Sequence, residues 1–156
     1  MKYIDLLGQQ LKSNDVIDVL ECGDLDVIYA FDRLYENQPD EYWVASKKEG
    51  VQLHFNEDQK LDLMFFYIMP DEGFSKCDQE TLGVPIFSSR ADARERADSE
   101  GREFWTGETD LFGVYREWIK IDFGTHHHHS EFRKAGLHRV SASLPPTAQQ
   151  ASDGQA

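Results

Sequence analysis

Four consecutive histidines, His126-His127-His128-His129, are the densest set of chemically capable side chains in the chain. On a strand, His126 and His128 share one face while His127 and His129 share the other. Two imidazoles so placed can hold zinc or nickel if a third ligand, such as Glu131 or His54, comes near. No C-x-x-C, H-E-x-x-H or acid-rich constellation is present to complete that site. The run is internal and falls where a strand is expected, so it reads as part of a half-exposed strand with no metal role.

A nucleophilic thiol needs a histidine and an acid beside it. Cys22 has Glu21 and Asp24 as neighbours, and Cys77 has Asp78 and Glu80. Carboxylates raise a thiol pKa and so disfavour the reactive thiolate. The pairs Asp24 and Asp26, and Asp71 and Glu72, have the types needed for acid–base work, yet acids at this density meet by chance. Gly101, Gly107 and Gly113 lack the close spacing and the terminal Lys-Ser/Thr of a phosphate loop. No catalytic residue, cofactor or metal is assigned, and the chain reads as a binding protein and not an enzyme.

The elements that must position these groups follow a repeated order. Leu7-Gly8 returns as Leu82-Gly83, and Tyr42-Trp43-Val44 is answered by Glu117-Trp118-Ile119. Leu11-Lys12-Ser13 corresponds to Phe87-Ser88-Ser89, and Leu53-His54-Phe55 with Leu61 to Ser130-Glu131-Phe132 with Leu137. Four correspondences in one order, about 75 residues apart, point to duplication. The first copy predicts a helix from Ser13 to Leu20, capped by Ser13 and stopped at Gly23. A loop or second short helix spans Leu25 to Tyr35, and Asn37-Gln-Pro39 marks a turn. Strands follow at Tyr42–Ser46, Val51–Phe55 and Leu61–Ile68. The second copy predicts a helix from Ser89 to Ala97, with Ser89 and Asp92 at capping-box spacing. Its strands are Glu117–Phe123, His126–Phe132 and Leu137–Leu144.

The expected fold class is therefore α+β, with two tandem helix-plus-antiparallel-sheet repeats sharing one continuous or paired sheet. The first repeat occupies residues 1–70, a connector 71–81, the second repeat 82–144, and a disordered tail 145–156. The N-terminal segment lacks the apolar run and cleavage site of a signal peptide. Leu63-Met-Phe-Phe-Tyr-Ile-Met69 is too short to cross a bilayer. Two unpaired cysteines fit a reducing compartment, so a cytoplasmic location is expected.

Charge narrows the partners. Sixteen basic residues face 29 acidic ones, a net charge of −13. Such a surface repels phosphate backbones and anionic membranes, so neither nucleic acid nor membrane is expected as a partner. The same charge keeps a protein soluble, or steers it toward a basic partner. Acids crowd residues 1–41, where only Lys2, Lys12 and Arg33 oppose them.

Strand patterning adds an apolar surface. Val51, Leu53 and Phe55 alternate with Gln52 and His54, and Ile119, Ile121 and Phe123 with Trp118, Lys120 and Asp122. In the third strand, Leu61, Leu63, Phe65 and Tyr67 occupy one side, and Met64, Phe66 and Ile68 the other. Either both sides are covered, or one aromatic face stays open for docking beside Trp43 or Trp118.

Two tandem units of this size, each with helical segments before an antiparallel sheet, resemble the β-lactamase inhibitor protein. The single unit is similar to the small outer-membrane-assembly lipoprotein fold. Short acidic chains of this kind also resemble bacterial immunity proteins of contact-dependent or polymorphic toxin systems. The resemblance covers residues 3–144 and rests on order and spacing. It implies inhibition of a cognate protein toxin, a nuclease or other nucleic-acid-acting enzyme with a basic active-site surface, by blocking its active site. The expected partner-binding residues are Asp24, Asp26, Asp32, Glu36, Asp40, Glu41, Trp43 and Tyr67, with the acids standing in for phosphates. An adaptor or assembly protein binding through the aromatic sheet face is the alternative.

Overall fold

A computed structural model describes residues 1–23, the backbone of 26–30, and residues 40–146. Strands β1 (Asp26–Ala30), β2 (Glu41–Ser46), β3 (Val51–Phe55), β4 (Leu61–Tyr67), β5 (Phe104–Leu111), β6 (Val114–Asp122), β7 (His127–Arg133) and β8 (Gly136–Ser143) form one sheet. Its order is β1-β2-β3-β4-β8-β7-β6-β5, and every pairing is antiparallel. Strands β4 and β8 meet at the centre through Met64↔Ala142 and Phe66↔Val140. Mixed α+β structure dominated by sheet is thus observed.

Helix α1 (Asn14–Cys22) begins where Ser13 Oγ accepts the Val16 N–H at 3.4 Å, and ends at Gly23. Helix α2 (Arg90–Ser99) begins where Ser89 Oγ accepts the Asp92 N–H at 3.0 Å. The return half of that cap comes from Ser88, whose N–H and hydroxyl both donate to Asp92 Oδ2 at 3.3 Å. Only Ala93 and Ala97 are buried on α2. Their small side chains let the helix backbone lie close to the sheet.

Both helices cover the same sheet face. Val16, Ala93 and Ala97 share one apolar core with Val44, Leu53, Phe55, Met64, Phe66, Ile119, Ile121 and Val140. Each large side chain in that core contributes about 1.5–3 kcal/mol by leaving water. The core is continuous across the β4–β8 seam, because residues of both halves belong to it. Ile4 N–H donates to the Leu82 carbonyl at 3.1 Å, which fastens the N-terminal turn to the start of the second half.

Several expectations are corrected. Residues 26–30 form a strand, not a loop or helix; Val27, Ile28 and Tyr29 are good strand formers and pair with β2. Strand β5 was not expected, because Phe104-Trp-Thr-Gly-Glu-Thr-Asp-Leu111 shows no clean alternation. Leu61 does not share a face with Leu63. A bulge at His54/Phe55 shifts the register, so Leu61 joins Phe55 in the core while Leu63 pairs with His54 on the opposite face. The turn expected at 37–39 lies outside the described residues, as does the tail from residue 147 onward.

Candidate partner-binding face

Among the described residues, no helix crosses the second face of the sheet. Strand alternation therefore displays a continuous set of side chains across it. One row runs Trp43, His54, Leu63, Ser143, His127 and Asp122 across β2, β3, β4, β8, β7 and β6. The next runs Gln52, Phe65, Ser141, His129, Lys120 and Trp105. A third holds Tyr67, Arg139, Glu131, Trp118 and Gly107. All three tryptophans of the chain lie on this face, none of them buried.

At the β2–β3 end, His54 Nδ1 donates to Asp62 Oδ1 at 2.6 Å, and its Nε2 lies 3.5 Å from Glu41 Oε1. Trp43 Nε1 donates to Glu41 Oε2 at 3.3 Å, and its ring meets His54 edge-on at 4.5 Å. These contacts fix the orientation of a half-buried indole, as a binding anchor requires. In the middle, Arg139 lies 4.8 Å above the Phe65 ring. Glu131 is buried among three guanidinium groups, with Arg133 at 3.2 Å, Arg139 at 3.9 Å and Arg116 at 4.0 Å. The face is thus acidic toward β2 and cationic toward β6–β8, despite the net charge of −13.

The histidine run is explained by aromatic packing. Each imidazole rests on a different ring: His126 on Phe123 at 5.4 Å, His127 on Trp105 at 5.6 Å, His128 on Phe87 at 5.4 Å and His129 on Trp118 at 5.3 Å. His128 is on the core face, with Nε2 2.8 Å from the Pro85 carbonyl. Burial pushes its pKa down to about 4. Burial also lowers those of His126, His127 and His129. All four are therefore neutral at pH 7, which suits rings packed against aromatics, stacked for His126 and His129 and edge-on for His128. Among the described residues, no group of three ligand-type side chains is arranged to hold a metal ion. The buried Cys77 thiol is pushed up to about 11, mainly by burial.

The expected site residues fare differently. Glu41 and Trp43 come together at the β2 edge of the face, and Glu41 is 47% exposed. Asp40 is half-buried just before β2. Asp26 sits on the edge strand β1, opposite Ala45. Asp24, Asp32 and Glu36 lie outside the described residues. Tyr67 is not available to a partner: it is 2% exposed, with Phe74 stacked on it at 4.3 Å. The loop after β4 folds back over that ring, which strand alternation alone does not reveal.

Phe65 lies on the same side as Leu63 and Tyr67, as expected, but Arg139, Glu131, His129 and Trp105 were missed as members of the face. Their shared location depends on β8 inserting between β4 and β7. Trp118 and Lys120 were signalled by their alternation with Ile119 and Ile121. No helix of the described residues is long and apolar enough to cross a membrane. No protein family, curated protein or solved structure matches this chain.

Proposed function

We propose that this chain is an immunity protein: a stoichiometric, cytoplasmic inhibitor that binds a cognate protein toxin and blocks its active site. The observation that carries this reading is the open sheet face, which displays Trp43, Trp105 and Trp118 with no described helix over it. Tryptophan and arginine dominate binding hot spots, and this face holds both in orientations set by neighbouring side chains. The net charge of −13 supports a basic partner such as a nuclease or other nucleic-acid-acting enzyme.

The same reading takes the fold as two tandem repeats. Supporting it, α1 precedes the meander β1–β4, α2 precedes the meander β5–β8, and the last strands of the two meanders pair. The reading assigns the partner surface to the acids Asp24, Asp26, Asp32, Glu36, Asp40 and Glu41; of these, Asp40 and Glu41 stand at the start of β2.

The test is co-expression with any toxin found encoded beside this gene, and the absence of such a gene counts against the proposal. Restored growth, together with a one-to-one complex whose association rate falls steeply with salt, is the expected result. A chain that neither binds nor protects against that toxin overturns the proposal. Binding to a non-toxic assembly component through the same face would establish the adaptor reading instead.

A further inference from the structure

The β5–β6 hairpin gathers nearly all the large apolar side chains that the described fold leaves exposed. Trp105, Leu111, Phe112 and Tyr115 belong to it, and only Met1 lies elsewhere. Phe112 is 94% exposed at the tip. Leu111 and Val114 close the hairpin, so Phe112-Gly113 is a two-residue loop. Both loop residues have positive φ, 54° for Phe112 and 75° for Gly113.

A loop of this kind favours Asn-Gly, because asparagine tolerates the left-handed region and a bulky ring does not. Phenylalanine at position 112 is therefore strained and exposed to water at once. Neither condition helps the fold. Backbone strain held at an exposed tip is a signature of function.

The base of the hairpin is braced. Arg90 of α2 donates to the Gly107 carbonyl at 3.3 Å and to Glu108 at 2.6 Å. Trp118 lies over Gly107 on the opposite strand, where a Cβ would stand 2.5 Å from the indole. A rigid arm with an aromatic end loses little freedom on binding. One exposed carboxylate, Asp110, stands beside the end, opposite Tyr115, while Glu108 and Glu117 lie further down the arm and pair with Arg90.

We infer that the Leu111–Gly113 tip is an insertion element, with Phe112 entering an apolar pocket bordered by lysine or arginine on the partner protein. The inference deepens the inhibitor reading and rests on it. A second copy of this chain is a poor occupant, since each copy carries −13 and the edge acids of β5 would oppose one another. An anionic bilayer is repelled by the same charge.

The experiment places a benzophenone photo-cross-linking amino acid at position 112, at 43 or at 48 of the full chain, in cells of its native host. Lys48, on the exposed β2–β3 turn, is the control. The expected adduct forms from 112 with another protein, its cross-linked peptide lying in a pocket bordered by basic residues. Phe112→Asn is then expected to weaken binding of that protein at least about 30-fold while raising Tm by about 1–4 °C.

Adducts from 43 alone would overturn the hairpin assignment and leave the inhibitor reading standing. Self-adducts alone from 112 would overturn it in favour of a dimer edge. No adduct from either 112 or 43 would remove both readings. A Phe112→Asn chain that melts lower would make Phe112 a structural residue and overturn the inference.

Discussion

Gly107 and Trp118 face each other across β5 and β6, with the indole occupying the space a Cβ on residue 107 would need; the nearest ring atoms stand 2.5 Å from that position. The glycine weakens an edge strand by itself, and the indole compensates by covering its backbone. Gly107→Ala is expected to destabilise the fold by about 1–3 kcal/mol, the range for overpacking, as measured by urea denaturation. Adding Trp118→Leu should recover part of that loss. Strictly additive effects would show that the contact does not matter.

His128 makes stability depend on pH. Its folded pKa of about 4 lies below the ordinary value of 6.5, so the unfolded chain binds its proton first as pH falls. Stability is fully present above pH 6.5 and is lost as pH drops toward 4. The size of that loss is about 3 kcal/mol for this one group, at about 1.4 kcal/mol per pH unit. His128→Leu should flatten the curve of Tm against pH without abolishing its slope, because burial lowers the other three histidines in the same direction. An unchanged curve would mean that His128 is solvated in the folded state.

Glu131 is the anion that allows Arg116, Arg133 and Arg139 to share one part of the sheet face. Glu131→Ala leaves those cations facing one another and is expected to cost about 1–3 kcal/mol, with Glu131→Gln closer to the lower figure. Each guanidinium still reaches water, which holds the effect below that of a fully buried pair. Added salt should recover part of the lost stability, since it screens the repulsion. A salt-independent deficit in denaturation experiments would assign the cost to packing alone.

Reversing Asp24, Asp26, Asp32, Glu36, Asp40 and Glu41 to lysine together tests whether these acids steer the partner. Association with a basic toxin is expected to slow by about 10-fold or more at low salt, with the difference shrinking as salt rises. Stopped-flow binding reads this directly. Neutralisation that survives the reversal undiminished would take the partner site away from these acids.

Local chemistry was the most legible part of this chain. Ser13 and Ser89 identified both helix starts, because a cap acts within a few residues. Val51, Leu53 and Phe55 identified the buried side of β3, because strand alternation is also local. Six of the strands were recognisable in this way, near their observed bounds. Strand β5 was not, since half of its residues are polar and do not alternate with the apolar ones, and its glycine is covered by Trp118 on the next strand.

The sequence by itself determined the acidic charge, the helix caps, the alternation of the central strands and the presence of aromatic side chains on them. Only the tertiary structure decided which of those aromatics stay accessible. The register shift at His54/Phe55 sent Leu61 inward, the 70–77 loop closed over Tyr67, and the placement of β8 between β4 and β7 joined two halves into one face. The same is true of the strained tip at Phe112: its residue type is plain in the sequence, but its positive φ exists only once Leu111 and Val114 pair. These are long-range outcomes of packing, in which the energy of a side chain depends on what folds against it.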